Sequence, residues 1–420
     1  MTSNSDKEAF VWIWLPEETK PIVAGRLEAD SGNILFNYGK SYLDRITNNK
    51  PVIPIYEPEL PLQAGALPLS EGLTMPGCIR DASPDAWGRR VIINKKLGHK
   101  GADTDTAELD ELTYLLESGS DRIGALDFQR SPFEYVPRAA NNVSLEALIE
   151  SAERVEQGIP LSAELDQALF HGSAIGGARP KALIQDQGKK YVAKFSSSTD
   201  LYSVVKAEFI AMRLAALAGV NAAPVKLAKA ANKDVLLIER FDRLPNGNEW
   251  IRKAMVSALT VLGLDDMMAR YASYETMAEI IRHRFTDPRA TLRELFSRLV
   301  FNILCGNTDD HARNHATFWN GSELTLTPAY DICPQGRTGN EASQAMLISD
   351  NNNLSQLKTC LLAANHFLLS EDDARTIFAH LTETIEQHWD TVCDEAEMSG
   401  VDKNLLWGRQ FLNPFSTMIE

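Results

Sequence analysis

One short stretch, from Gly306 to Asp331, limits what this chain can fold into more than any other part of it. Upstream of it, Leu292, Leu295, Phe296, Leu299, Val300, Ile303 and Leu304 recur at helical spacing and form one apolar stripe. Gly306 predicts the end of that helix. The polar segment Asn307-Thr308-Asp309-Asp310-His311-Ala312-Arg313-Asn314 follows as a loop. Two apolar runs, one through Trp319 and one from Leu324, then flank Asn320-Gly321, the strongest short signal for a β-hairpin. Such a hairpin returns Asp331 to the loop that carries Asp309 and Asn314. Two carboxylates and a carboxamide then meet at one place with no distant contact needed.

Those residue types suit a metal–phosphate site. Mg²⁺ is a hard cation that takes oxygen ligands, which Asn314 and Asp331 can supply. A further carboxylate, Asp309, can orient an attacking hydroxyl and accept its proton. An Asp, an Asn five residues later and a second Asp beyond a hairpin is the order a protein-kinase-like site uses. Two other readings stay open from the residues alone. One is a polar loop with capping Asn and Asp. The other is a hydrolytic metal site, with His311 and His315 four apart and Asp309, Asp310 and Asp331 beside them. Gly306 and the hairpin argue against a helix there, which makes His311 a loop residue that orients the site.

Bulk properties exclude some classes. With 420 residues there is room for two or three domains. A net charge of −15 disfavours broad electrostatic binding to nucleic acid or an anionic membrane. The five cysteines, Cys78, Cys305, Cys333, Cys360 and Cys393, are scattered without a C-x-x-C pair and read as reduced, buried thiols. The apolar run Phe10 to Leu15 is too short for a signal or a membrane span, so a cytoplasmic protein is expected.

Residues 10–60 read as strand-rich, with Asp30-Ser31-Gly32-Asn33 as a turn. Asp81-Ala82-Ser83-Pro84-Asp85 predicts a helix start, and residues 108–117 an amphipathic helix. A soft boundary falls at 130–145. Beyond it come a helix from Leu145 to Glu156, a Gly-rich turn, strands at 181–185 and 190–195, and a helix at 206–218 closed by Gly219. Strands at 225–227 and 235–241 complete a small mixed lobe. After Pro245-Asn246-Gly247 nearly everything except the hairpin is expected to be helical, with Ser370 capping one late helix. The fold class expected is α+β: a β-rich N-terminal subdomain (1–135), a mixed small lobe (145–245) and a large helical lobe (246–420).

The small lobe offers nucleotide-binding features. Glycines at 172, 176 and 177 let backbone N–H groups approach phosphates, although the turn is neither a Walker A loop nor a clean G-x-G-x-x-G. Tyr191-Val192-Ala193-Lys194-Phe195 is a strand with one lysine among apolar residues, alternating so that Val192 and Lys194 share a face. A half-buried cation needs a partner: nucleotide phosphates, or Glu208 on the next helix. A surface lysine on an edge strand is the alternative. Glu239-Arg240-Phe241-Asp242-Arg243 ends a strand where two lobes would join, so that Phe241 could stack on a base and backbone near Glu239 could bond its edge. A salt-bridged, exposed strand end explains the same residues.

Taken in order, these segments resemble the HipA family, the toxin kinases of bacterial toxin–antitoxin modules. The resemblance rests on Ser173 to Lys181 (SAIGGARPK), Glu239 to Arg243, Gly306 to Asn314 and Leu326 to Ile332. Gly25-Arg26-Leu27, Phe36-Asn37-Tyr38, Leu67-Pro68-Leu69-Ser70 and Pro84-Asp85-Ala86-Trp87-Gly88-Arg89-Arg90 carry it through the N-terminal region. It implies a kinase-like fold and an ATP- and Mg²⁺-dependent serine/threonine-protein kinase. Asp309 would be the catalytic base and His311 its support. Asn314 and Asp331 would hold Mg²⁺. Gly176, Gly177, Ala178, Lys181 and Lys194 would face the phosphates, and Glu239 and Phe241 the adenine. It further implies autophosphorylation at Ser173, an aminoacyl-tRNA synthetase (such as glutamyl-tRNA synthetase) as target, and a helix-turn-helix antitoxin of the HipB type that carries the chain onto operator DNA.

The chain departs from the family pattern in two places. Asp310 stands where Gly is common and is expected to add a carboxylate near the metals. Pro180 stands where a polar residue is expected and would stiffen the Ser173 loop. Two other classes fit parts of the pattern: a small-molecule kinase of the aminoglycoside-phosphotransferase type and a non-catalytic corepressor scaffold. The complete Lys194, Asp309, Asn314, Asp331 set argues against the scaffold.

Overall fold

The computed structural model describes residues 6–97, 109–138, 144–156, 159, 179–196, 200 and 202–419. Its first sheet is antiparallel, with strands β1 (Glu8–Ile13), β2 (Ile22–Asp30), β3 (Asn33–Tyr38), β4 (Ala66–Leu67) and β5 (Leu126–Gln129) in the order β4-β3-β2-β1-β5. Alternation drives it: Val11, Leu27, Phe36 and Phe128 are all fully buried. Gly25 is required where β2 meets β3, because a Cβ there would lie 2.1 Å from the Asn37 carbonyl oxygen. That steric demand accounts for the glycine in Gly25-Arg26-Leu27.

The second sheet contains β6 (Lys181–Asp186), β7 (Lys189–Phe195), β8 (Val225–Ala230) and β9 (Lys233–Glu239), in the order β6-β7-β9-β8. The helix Val204–Leu217 buries Phe209, Ile210, Met212 and Leu214 within the main core. A smaller core joins Trp87 and Val91, of the helix Ala86–Leu97, to Leu148 and Ile149, of the helix Leu145–Glu156, and to Ala193, Phe195 and Leu237 of the sheet. The N-terminal segment therefore packs directly on the small lobe.

Beyond residue 246 the expectation of an almost wholly helical lobe needs correction. Strands β10 (Arg243–Asn246) and β11 (Glu249–Arg252) form a hairpin over the Pro245-Asn246-Gly247 turn. Strand β12 (Ala254–Ser257) pairs with β13 (Ala316–Trp319), which pairs with β14 (Leu324–Leu326). Lys253 splits β11 from β12, leaving runs of four residues, too short for a periodicity signal. The helix Pro288–Cys305 forms as expected, with Asp287 accepting from the Ala290 N–H at 3.2 Å and Gly306 closing it at φ 72°. Gly306 is doubly constrained, since a Cβ would sit 2.7 Å from the Gln410 carbonyl oxygen. The late helix Glu371–Glu395 starts with a complete Ser370–Asp373 capping box.

Candidate active site

The loop after Gly306 is closed by its own backbone: the Asn314 N–H donates to the His311 carbonyl at 2.8 Å. The Asn314 Nδ2 donates to the Asp309 carbonyl at 3.2 Å, so Oδ1 is the atom left to meet a cation. Asn314 is buried and Asp309 is exposed. The hairpin returns the chain to Asp331, whose φ of 59° is left-handed, a strained position for a non-glycine residue. The Asn307 Nδ2 donates to the Asp331 carbonyl at 3.4 Å, and the Tyr330 hydroxyl to the Arg313 carbonyl at 2.7 Å. Both bonds tie the returning strand to the loop.

Lys194 is buried on β7 and bonds two carboxylates. Its Nζ lies 2.6 Å from Glu208 Oε1 and also contacts Asp331 Oδ1. Burial opposes its charge, yet Asp331 and Glu208 hold the ammonium well above its ordinary range. Burial likewise opposes ionisation of Asp331, but Lys194 and Lys181 bring it down to about 2. Lys181, opposite Lys194 in the β6–β7 register, is pushed down to about 8 by burial and by repulsion from Lys194. The Asp309 carboxyl is pushed upward by desolvation and by the charges of Asp331 and Asp310, against a downward pull from His311.

One cavity of about 710 Å³ takes in Lys181, Val192 and Lys194 from the small lobe, His311 and Asn314 from the loop, and Asp331. Glu239 and Phe241 also line it. The Glu239 carboxylate is turned to Lys189 at 2.7 Å, and the Phe241 ring packs near Phe318 and Tyr330 with centroids 5.9 and 5.8 Å away. The Glu239 N–H donates to the Pro224 carbonyl at 2.9 Å. Proline has no N–H to return, so the Glu239 carbonyl lacks its partner from that ladder. His311 Nδ1 is buried without a hydrogen-bond partner. Asp309 is not among the lining residues. Ser173, Gly176, Gly177 and Ala178 lie outside the described residues.

Asp310 corrects one expectation. It does not add a carboxylate to the metal side of the loop. It is buried, 3.0 Å from His315 Nε2, and accepts from the Tyr274 hydroxyl. Burial would raise its pKa, but His315 and Tyr274 bring it below the usual range. Two of the five residues offered to a hydrolytic metal site, Asp310 and His315, are thus held against each other. Among the described residues no group of three or more His, Cys, Asp or Glu side chains is placed to hold a metal.

The exposed-strand-end reading of residues 239–243 also fails. Arg240 and Arg243 are buried. Both bond Asp242, and Arg240 and Arg243 also bond the carbonyls of Arg122 and Gly124 in the N-terminal subdomain. A further link escaped the sequence: Arg313 of the loop pairs with Asp85 at 2.9 Å, from 228 positions away. Trp87 Nε1 donates to the Lys181 carbonyl at 3.2 Å. Both Asp85 and Trp87 belong to the Pro84 to Arg90 segment, but nothing in sequence spacing pairs them with the small lobe or the loop.

A β-rich subdomain, a mixed lobe and a helical lobe around one cleft define a two-lobed, kinase-like fold. The HipA chain in the Shewanella oneidensis complex of HipA, HipB and operator DNA has this fold, with a TM-score of 0.68 over 96% of this chain and 99% of that one, at 19% identity. Residues 14–129 match the HipA N-terminal domain and residues 173–389 the HipA-like C-terminal domain. The chain belongs to the HipA family. The serine/threonine-protein kinase toxin HipA of Shewanella oneidensis is 26% identical over 274 residues, which cover 59% of this chain and 62% of that relative. The match therefore spans less than two thirds of the relative's length. Among the described residues, no helix is long and apolar enough to cross a membrane.

Proposed function

We propose that this chain is a serine/threonine-protein kinase that moves the terminal phosphoryl group of ATP, with Mg²⁺, to a protein hydroxyl. The observation that carries this reading is the convergence of Lys194, Asn314 and Asp331 on one cavity. The donor set fits the ligands. Asn314 Oδ1 and the ionised Asp331 are hard oxygen donors for Mg²⁺. Lys194 and Lys181 are buried ammonium groups suited to phosphate oxygens. When bound, the metal neutralises charge that develops on the phosphoryl oxygens. Glu208 holds Lys194 in place, and Asn314 and Asp331 would hold the cation, which would supply positive charge to the phosphate oxygens. The Glu239 carbonyl, opposite Pro224, suits the adenine amino group, and the Phe241 ring suits its face. Asp309, with its raised pKa, accepts the proton of the attacking hydroxyl. His311 supports the loop.

The family resemblance supports finer assignments: an aminoacyl-tRNA synthetase as the protein target, autophosphorylation at Ser173, and a cytoplasmic location. Likeness to the HipA chain of the HipA–HipB–DNA complex supports a helix-turn-helix antitoxin as partner, with operator DNA reached only through it. Asp331→Asn tests the site while leaving the Lys194–Glu208 pair in place. Mg²⁺-dependent ATP binding, followed by calorimetry, is expected to weaken at least about tenfold. Unchanged Mg²⁺ dependence would remove Asp331 from the metal site.

A further inference from the structure

Among the described residues five arginines are more than nine-tenths buried: Arg80, Arg122, Arg240, Arg243 and Arg298. Four rest on carboxylates. Arg122 lies 2.9 Å from Asp127, Arg240 and Arg243 lie 2.8 and 2.9 Å from Asp242, and Arg298 lies 2.7 Å from Glu294. Arg80 differs. Its side chain reaches Thr260 Oγ1 at 3.5 Å, and its buried Nε has no hydrogen-bond partner. Ser83, whose N–H donates to the Arg80 carbonyl at 2.9 Å, also has a buried side-chain oxygen without a partner. Both residues line the cavity described above.

The nearby acids are committed elsewhere. Asp81 accepts from the N–H and hydroxyl of Ser257 at 2.6 and 2.7 Å. Glu59 accepts from the N–H groups of Gly77 and Cys78 at 2.9 and 2.8 Å. Arg89, in the same wall, is held by Glu111 at 2.6 Å. Arg80 feels the charge of Asp81 but makes no hydrogen bond to it or to any other carboxylate among the described residues; a buried guanidinium nitrogen left without an acceptor is unfavourable, and a hydroxyl orphaned beside it compounds the cost. A group from outside the chain would satisfy both.

We infer that Arg80 and Ser83 form an anion subsite on the acceptor side of the cleft, taking a carboxylate or phosphate group of the molecule to be phosphorylated. Both come from the N-terminal subdomain and not from the strands that carry Lys181 and Lys194. Their surroundings lead to the end of the catalytic loop: Thr260 follows Ser257, and the Ala258 N–H donates to the His315 carbonyl at 2.7 Å. Placing the subsite on the acceptor side rests on the kinase reading above; the anion site itself does not.

The test uses inorganic phosphate as the probe and thermal unfolding of the whole chain as the readout. About 20 mM phosphate, against chloride at equal ionic strength, is expected to raise the parent melting temperature by roughly 1–2 °C, with or without a non-hydrolysable ATP analogue. Arg80→Met is expected to lose this response and keep its response to the analogue. Ser83→Ala provides a second variant should Arg80→Met fail to fold, and its phosphate response is expected to fall. An undiminished phosphate response in both variants overturns the subsite. A response that vanishes once the analogue is bound would assign Arg80 to the nucleotide phosphates and overturn its place on the acceptor side. Failure of the parent to respond to the analogue tells against the kinase reading, while the phosphate comparison still decides the anion site.

Discussion

Asp309→Ala is expected to fold as the parent does and to lose phosphoryl transfer by about 10²–10⁴-fold. The side chain is exposed, and the loop is held by the Asp309 carbonyl, which accepts from Asn314 Nδ2 at 3.2 Å and survives the substitution. Only the proposed proton acceptor is removed. Circular dichroism and the melting temperature check the fold, and single-turnover transfer checks the chemistry. A variant that retains the parent rate would take Asp309 out of the mechanism. The neighbouring Asp310 cannot serve the same purpose, because its carboxylate is buried against Tyr274 and His315 and its loss would disturb the loop itself.

The largest stability effect is expected at Asp242. Its carboxylate accepts from Arg240 Nε at 2.9 Å, Arg240 Nη2 at 2.8 Å, Arg243 Nη1 at 2.9 Å and the Gly124 N–H at 2.8 Å. Asp242→Ala leaves two buried guanidinium groups to share Asp121, which lies 3.1 Å from Arg240 and 3.0 Å from Arg243. Breaking a buried pair from one side costs about 3–5 kcal/mol, a large part of a typical folding free energy. Denaturant unfolding is the measure, and a loss under about 1 kcal/mol would contradict a structural role for the network. The acid limb has a definite sign. Burial raises the Asp242 pKa, but Arg240 and Arg243 overcome that and set it at about 2, below the unfolded value. Its stabilisation is complete above the unfolded pKa near 4 and is lost as pH falls through about 2. The variant is expected to lack that part of the acid dependence.

Features set by neighbours in the chain were legible in the sequence. Gly306 ends a helix, Asn320-Gly321 turns a hairpin, and Glu208 follows Lys194 by fourteen positions onto the next helix, where it bonds the lysine. Each follows from periodicity, turn chemistry or the need of a buried cation for a partner. What escaped depends on direction or distance. Whether Asp310 points to the metal side or to the core is a matter of local backbone rotation, and spacing is silent on it. Arg313 finds Asp85 across 228 positions, and Arg240 finds the Arg122 carbonyl across 118. These tertiary pairs fasten the N-terminal subdomain to the loop and the small lobe. Spacing alone fits residues 239–243 to a nucleotide edge or an exposed strand end; their arginines are a buried staple, while Glu239 and Phe241 line the cavity.

Protein-kinase activity is tested by transfer from γ-labelled ATP, with the purified chain, Mg²⁺ and a bacterial lysate, followed by identification of the labelled acceptor. Label is expected on serine or threonine of a protein, lost when Mg²⁺ is chelated and lost with Asp309→Ala. Label confined to small-molecule hydroxyls, or protein label that persists in Asp309→Ala, would contradict that expectation.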